Sequence, residues 1–207
     1  MKLRDAATQL SDVAAATAIR QNLTGAPKPM QVQVGWVSPN LFELLGVSPA
    51  IGRNFAPDEP PGRLLLGHEF WTRALGGNRD AVGRTLFLDG HGYEVVGVLP
   101  PGFRLDLPRF PEGVDVWKVP DDWWQNGDLW SAENPEFVLL RLAGRLAPGP
   151  SVGAAQAELD SLAARVRDRN PLWKSAGLGV EVRGVSSEQS SGTSAPRSGC
   201  CSERRAA

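Results

Sequence analysis

The sequence predicts an α+β fold whose two ends carry similar orders of secondary structure, within a chain of 207 residues. Three segments support this prediction: an alanine-rich stretch at residues 3–16, an Asp-Gly turn between apolar runs at residues 84–98, and a strand, a helix and a strand over residues 137–185. Apolar residues repeat with helical spacing in some segments and alternate in others, as a mixed domain requires. The composition, with 42% hydrophobic and 22% charged residues, is that of a globular protein.

The first end of the chain is predicted to form a helix, a turn and a strand. Apolar residues recur at helical spacing over residues 3–16: Leu3, Ala7, Leu10 and Ala14. A strand-like segment follows at residues 17–20, and the glycine and prolines of residues 22–29 indicate a turn. Polar and apolar residues alternate over 31–37, which predicts a half-buried strand. This order is typical of a βαβ unit that lacks its first strand.

The next region is predicted to hold a short helix and a loop. Ser38, with Pro39 and Asn40, is expected to cap a helix over residues 41–45, because its hydroxyl can accept a bond from a free backbone N–H. Gly46 is expected to end that helix. The four prolines of residues 49–63 predict a loop.

The centre of the chain is predicted to contain a hairpin. Residues 64–66 are apolar enough for a short buried strand, and residues 70–75 for a short helix stopped by two glycines. The strands at 84–88 and 93–98 flank Asp89-Gly90-His91-Gly92, and Asp and Gly tolerate the positive φ angles that a tight reversal needs. This turn is the clearest local signal in the sequence.

The last part of the chain combines an irregular segment with a second strand–helix–strand unit. Residues 104–135 hold four tryptophans with little periodicity and are expected to be ordered but irregular. A strand over 137–146 leads to a helix over 151–168, with Ser151 as its N-cap and one apolar stripe: Val152, Ala155, Leu159, Leu162 and Val166. Residues 179–185 alternate like a strand, and the Ser/Gly/Arg-rich residues 186–207 predict disorder.

Charge and hydropathy exclude several classes of function. The net charge is -1 and the basic residues do not cluster, so the sequence predicts no positively charged surface for nucleic acid or for an anionic membrane. No stretch reaches the roughly 20 apolar residues of a membrane span, and residues 1–5 lack the apolar core of a secretory signal. We therefore expect this chain to have no membrane anchor or signal peptide of its own. Cys200 and Cys201 are adjacent, so a disulfide between them would be strained and would close no loop of the chain.

The sequence contains no pattern that predicts catalysis, a cofactor or a metal. His68 and His91 have no metal-ligand spacing and no adjacent nucleophile, so a hydrolase using either one is the weakest hypothesis. The carboxylate pairs Asp58-Glu59 and Asp121-Asp122 are expected to be solvated loop charges. The glycine pairs match neither a dinucleotide fingerprint nor a phosphate loop. We expect a protein that is not an enzyme and binds no cofactor.

Trp123, Trp124 and Trp130 are the candidate contact residues of the chain. Exposed tryptophans supply flat contact area for sugars, lipids or protein partners. The alternative, which is more common, is that they pack a loop onto the sheet. They support one candidate function, a free carbohydrate- or lipid-binding module that uses this loop.

An ordered series of motifs resembles a known family. Residues 37–55, VSPNLFELLGVSPAIGRNF, are similar to the signature S-x-x-[YF]-F-x-x-L-G-V-x-P-x-x-G-R-x-F of MacB-like periplasmic core domains, the extracytoplasmic domains of FtsX-like ABC transporter permeases. Further blocks follow in the family's order: YEVVGVLPPGF at 93–103, DVW at 115–117, RLAPGPS at 145–151 and AAQAEL at 154–159. The resemblance covers about residues 3–185.

The resemblance implies a domain of two lobes outside the cytoplasm. A porter-like lobe would be built from split βαβ units in residues 1–37 and 136–185, and an inserted β-rich lobe from residues 38–135. In such permeases ATP hydrolysis is transmitted through membrane helices to this domain, which moves to export or extract a substrate and has no catalytic residues. The implied partners are those membrane helices, an ATPase subunit, a second permease copy and a periplasmic adaptor. Since the family's flanking helices and first strand are missing here, we expect a truncated copy.

Overall fold

The α+β class is confirmed by a computed structural model that describes residues 7–24, 26, 28–120 and 141–169. The strands of this part of the chain are β1 (Leu10–Thr24), β2 (Met30–Val37), β3 (Ile51–Gly52), β4 (Arg63–Leu66), β5 (Thr85–Leu88), β6 (His91–Val98), β7 (Val116–Lys118) and β8 (Arg141–Leu146). The helices are α1 (Leu41–Leu44), α2 (His68–Leu75) and α3 (Val152–Arg169), with a 3-10 turn at Arg79–Ala81.

Six of these strands form a pairing circuit that closes on itself. β1 pairs with β2, β2 with β7, β7 with β4, β4 with β6, β6 with β5, and β5 with the last residues of β1. Two of these contacts, β2 with β7 and β4 with β6, are parallel, and the other four are antiparallel. The circuit is a small barrel, with β8 attached to the first half of β1 and β3 attached to β6.

The predicted helix over residues 3–16 is wrong where the structure describes it, because residues 10–24 form the single strand β1. Ala16 lies in register with Val37 of β2 on one edge and with Arg141 of β8 on the other. Ala14, Ala15 and Ala16 are all buried. The helix preference of alanine is a weak prior, whereas here its small side chain fits a buried strand that pairs with β8 throughout and also with β2 at Ala16. Tertiary pairing therefore overrides local propensity.

The structure differs from one of the two predicted split βαβ units and agrees with the described part of the other. The first is not observed, since β1 is followed directly by β2 and the predicted opening helix is strand. In the second, β8 and α3 appear in the predicted order. The predicted strand at 179–185, the tail at 186–207 and residues 137–140 of the predicted strand lie outside the described residues.

The barrel interior is a continuous apolar core to which all six strands contribute. Alternate residues of each strand point inward, as the two-residue period of a strand dictates. The members from the strands are Leu23, Val32, Val34, Leu64, Leu66, Leu86, Leu88, Tyr93, Val95, Val98 and Val116. Phe70 of α2 and Ala81 of the 3-10 turn complete this core.

A second core lies on the outer face of the barrel, beneath a cap formed by residues 41–47 and 99–110. Phe42 of α1 meets the ring of Trp117 edge-on at 5.6 Å, and Phe103 does so at 5.7 Å. Phe110 stacks on the other side of this cluster, 6.0 Å from Trp117. Offset and edge-on aromatic pairs of this kind stabilise beyond the area they bury. The predicted irregular excursion at 104–135 therefore contains strand β7 and a buried tryptophan.

Helix α3 closes the fold on the side of β8. Ser151 accepts a bond from the N–H of Ala154 at 3.2 Å, which confirms it as the N-cap. The predicted apolar stripe is buried at three positions, Ala155, Leu159 and Leu162, while Val152 is exposed. The stripe packs against residues of β1, of β8 and of the segment before β1: Ala7, Leu10, Val13 and Leu142.

The predicted hairpin is confirmed, with a tighter loop than expected. Asp89 and Gly90 have φ angles of 47° and 85°, and Leu88 pairs directly with His91. Two consecutive residues with positive φ make the reversal that best matches the twist of paired strands. His91 and Gly92 therefore belong to β6 rather than to the loop.

Candidate functional site

The predicted contact residues Trp123, Trp124 and Trp130 lie outside the described residues, as does the carboxylate pair Asp121-Asp122. Their role as substrate or partner contacts remains a prediction. Trp117, from the same tryptophan-rich segment, is buried under the cap. Trp117 therefore packs against the sheet and is not exposed as a contact residue.

The two histidines lie at the starts of different elements. His68 is the first residue of α2, with its ring 5.4 Å from that of Trp71, and His91 is the exposed first residue of β6. Within the part of the chain that the structure describes, no three His, Cys, Asp or Glu side chains come together as metal ligands would.

Glu59 corrects the expectation of solvated loop charges. Only 2% of this residue is exposed, and its carboxylate accepts bonds of 2.6 Å from both Arg53 Nη1 and the N–H of Ala56. Arg63 Nε lies 3.7 Å from the same carboxylate. Burial raises the pKa of Glu59, but the Arg53 and Ala56 hydrogen bonds and the two positive charges together lower it below its ordinary value. Glu59 holds together the loop between β3 and β4.

Lys118 is a buried cation at one end of the barrel interior. Its ammonium donates a hydrogen bond to the hydroxyl of Tyr93 and lies 4.3 Å from the centre of that ring. The ring of Trp36 is 4.9 Å away on the neighbouring strand β2. Aromatic faces attract a desolvated cation. A lysine within the short run Val-Trp-Lys carries no sequence signal for this arrangement, since strand lysines are usually exposed.

The start of α1 is tied to the middle of β1 by polar contacts. Ser38 Oγ accepts a bond from the N–H of Ala15 at 3.0 Å, so this hydroxyl does not cap the helix as predicted. Asn40 Nδ2 donates to Asp12 Oδ1 at 2.9 Å and to the carbonyl of Val13 at 3.0 Å. These side chains hold the cap against the middle of β1, between the part that pairs with β8 and the part that belongs to the barrel.

Glu158 of α3 anchors the far end of the chain to the start of β1. Its carboxylate accepts bonds from Thr8 Oγ1 at 2.6 Å, from Thr8 N–H at 2.8 Å and from Gln9 N–H at 2.9 Å. The bond from the Thr8 hydroxyl, with the two backbone bonds, lowers the pKa of Glu158. Residues about 150 positions apart therefore meet at one end of β1.

The candidate functional site is thus the junction at which β1, β8, α3 and the cap converge. The junction consists of paired strands, backbone hydrogen bonds and polar side chains, which include the carboxylates of Asp12 and Glu158. The sequence did not predict the centre of this junction, because the alanines Ala14–Ala16 are typical of a helix. It predicted Ser38 as a helix cap, whereas Ser38 binds β1.

Comparison with known proteins identifies the family. The model of the MacB-like periplasmic core domain matches residues 1–162. The chain belongs to this family. Two solved structures share the fold. The periplasmic region of MacB from Actinobacillus actinomycetemcomitans superimposes with a TM-score of 0.58 at 13% identity, covering 80% of this chain and 74% of that one. The extracellular domain of the ABC-type transporter YknZ from Gram-positive bacteria gives 0.55 at 11% identity, covering 82% and 83%.

No curated protein matches the chain. The family match gives no support to the alternative of a free carbohydrate- or lipid-binding module. Across the described ranges, no helix combines the length and the apolar composition that crossing a membrane demands.

Proposed function

We propose that this chain is the extracytoplasmic domain of an ABC transporter permease, and that it couples ATP-driven movement of membrane helices to the export or extraction of a substrate. Membership of the MacB-like periplasmic core domain family supports the proposal, as does the fold shared with domains of two transporters. The proposed role is mechanical, without catalytic residues of its own.

The observation that carries the proposal is the continuity of β1. This strand of 15 residues pairs with β8 over its first half and with β2 and β5 over its second half. The strand has a paired neighbour along its length, apart from a register shift between Leu10 and Asp12. Such a strand resists stretching, because many backbone hydrogen bonds must break together before it yields. A force applied near α3 and β8 would therefore reach the barrel without an intervening flexible linker.

We also propose the two-lobe organisation that the resemblance implies: a porter-like lobe from residues 1–37 and 136–185, and an inserted β-rich lobe from residues 38–135. The pairing of β1 with β8 supports the first lobe, since it brings the two separate segments into one sheet. β1 also pairs with β5, and β2 with β7, so the two proposed lobes share the wall of the barrel. The proposed partners are the membrane helices, the ATPase subunit, a second permease copy and a periplasmic adaptor. Trp123, Trp124 and Trp130 are the proposed contact residues for substrate or partner.

The coding sequence on either side of residues 1–207 is the first test. We expect it to encode membrane-spanning helices, with an ATPase gene nearby. Unrelated soluble sequence on both sides would contradict the proposal.

Spin labelling of the permease with its ATPase in lipid vesicles is the direct test. A label at the exposed position of Thr85, with Cys200 and Cys201 changed to Ser, reports the distance between two copies of the domain. We expect this distance to differ between the nucleotide-free and the ATP-trapped state, and a label at Ala157 on α3 should report the same transition. An unchanged distance in a permease that hydrolyses ATP would refute coupling through this domain.

A further inference from the structure

Two arginines of β8 reach out of their strand and bind main-chain carbonyls of the cap. Arg141 donates from Nε to the carbonyl of Pro108 at 3.1 Å and from Nη2 to that of Arg109 at 2.7 Å. Arg145 donates from Nη2 to the carbonyl of Leu44 at 2.7 Å. The two arginines are four residues apart, so they lie on the same face of the strand.

The opposite face of β8 is occupied by a different part of the fold. Leu142 packs with Leu159 and Leu162 of α3, whereas Ala143, which lies between the two arginines on their face, packs against the outer core under the cap. β8 therefore lies between α3 and the cap, and its two arginines bind the cap.

The carbonyls that the arginines bind belong to the two segments that carry the aromatic cluster. Leu44 is two residues from Phe42, and Arg109 is adjacent to Phe110. Both rings contact Trp117 of the barrel strand β7. A continuous chain of contacts thus runs from β8 through the arginines and the cap to the barrel wall.

The geometry at Arg109 indicates that this contact shapes the cap. Arg109 has a φ of 57°, a left-handed conformation that is unfavourable for a residue with a Cβ. The carbonyls of Arg109 and Pro108 both accept bonds from one guanidinium, whose planar fork holds the two acceptors in a fixed geometry. Partial burial, together with the charge of Arg109, lowers the pKa of Arg141.

We propose that Arg141 and Arg145 form a clasp that makes the cap open together with β8 rather than independently. The clasp completes a continuous path of contacts from β8 through the cap to the barrel. Its relevance to transport rests on the proposed function, but the clasp itself is a property of the chain alone.

The test is hydrogen exchange on the 207-residue chain. The N–H of Phe110 bonds to the carbonyl of Leu107, and that of Val47 to the carbonyl of Phe42, so these amides report the two halves of the cap. In Arg141→Met, which removes the charged donors and keeps the long side chain, we expect exchange at residues 103–110 to rise about tenfold, as the loss of a charged hydrogen bond predicts. In Arg145→Met the same rise is expected at residues 44–47. The barrel amide of Val95, bonded to Arg84, should exchange as in the unmodified chain.

Arg84→Met is the matched control, at an exposed arginine of the barrel. Two results would overturn the proposal. In the first, residues 103–110 and 44–47 exchange in the clasp variants as they do in the control. In the second, exchange rises equally in the cap and at Val95, which would indicate general destabilisation. Neither result depends on permease activity, so a failed clasp and a failed transport role are distinguishable.

Discussion

Glu59 accepts a hydrogen bond of 2.6 Å from Arg53 although it is almost fully buried, whereas Arg53 is half exposed. The partners of Glu59 hold its pKa below the ordinary value of about 4.3. A group with a lowered pKa stabilises the folded state above its unfolded pKa, and the stabilisation is lost as the pH falls through the folded pKa. We therefore expect the free energy of unfolding to decrease as the pH falls below about 5.

Glu59→Gln should remove part of this pH dependence. At pH 7 we expect a loss of about 1–2 kcal/mol, because a neutral amide binds the arginines more weakly. Urea unfolding between pH 7 and pH 3 measures both effects. Asp58→Asn, at the exposed neighbouring position, is the control and should keep the slope of the unmodified chain. Parallel curves for Glu59→Gln and the unmodified chain would show that Glu59 does not contribute.

Gly35 of β2 lies against the ring of Trp117, which leaves no room for a methyl group. A Cβ at this position would be 2.7 Å from Cζ3 of Trp117. Because Trp117 is held between Phe42 and Phe110, we expect Gly35→Ala to destabilise the protein by about 1–3 kcal/mol. The midpoint of urea unfolding is the measurement.

Gly153→Ala provides the matched control for this substitution. In α3 the added Cβ would meet only Ser151 Oγ, at 3.8 Å. Replacing a helical glycine by alanine should stabilise by about 0.5–1 kcal/mol. The two identical substitutions are thus expected to have opposite signs. A stabilising Gly35→Ala would mean that Trp117 can move aside.

Asp89 does two things at the hairpin turn. It adopts a positive φ of 47°, and its carboxylate accepts bonds from the N–H of Asn22 at 2.9 Å and from Gln21 Nε2 at 2.9 Å. These bonds join the hairpin to the end of β1 and lower the pKa of Asp89. Asp89→Ala should cost about 1–2 kcal/mol, since alanine tolerates positive φ poorly and accepts no bond. Asp89→Asn should cost less in thermal unfolding; equal losses would contradict a role for the turn conformation.

Tyr93 and Lys118 are expected to be energetically coupled. Tyr93→Phe removes the hydroxyl that accepts a bond from the buried ammonium, which should cost about 1–3 kcal/mol. Because Lys118 also lies over Trp36, a single substitution does not isolate the pair. A double-mutant cycle with Lys118→Met does, and we expect a coupling energy of about 1 kcal/mol or more. Additive effects of the two substitutions would disprove the coupling.

Locally encoded elements were predicted well. The hairpin depends on the neighbours Asp89 and Gly90, α2 ends at Gly76 with its left-handed φ, and Ser151 caps α3 through the N–H of Ala154. Each of these signals acts within a few residues. The family motifs were likewise readable, since they lie in order along the chain.

The junction was not predictable in the same way. The partners of β1 lie as far as 136 positions along the chain, as between Leu10 and Leu146. The burial of Glu59 depends on Arg63 and Arg53 folding around one loop, and β7 is too short to produce a periodic signal. The tryptophan loop at Trp123, Trp124 and Trp130 remains a prediction.

The sequence by itself determined the turns, the helix ends, the alternating strands and the family, because these depend on conformational preferences and motifs carried by neighbouring residues. Only the tertiary structure decided that Ala14–Ala16 would be strand and that Arg141 and Arg145 would bind the cap. The physical reason is that alanine's small preference for helix is outweighed by backbone pairing with β8, joined at Ala16 by pairing with β2, and by burial. That pairing comes into existence only when the distant parts of the chain meet.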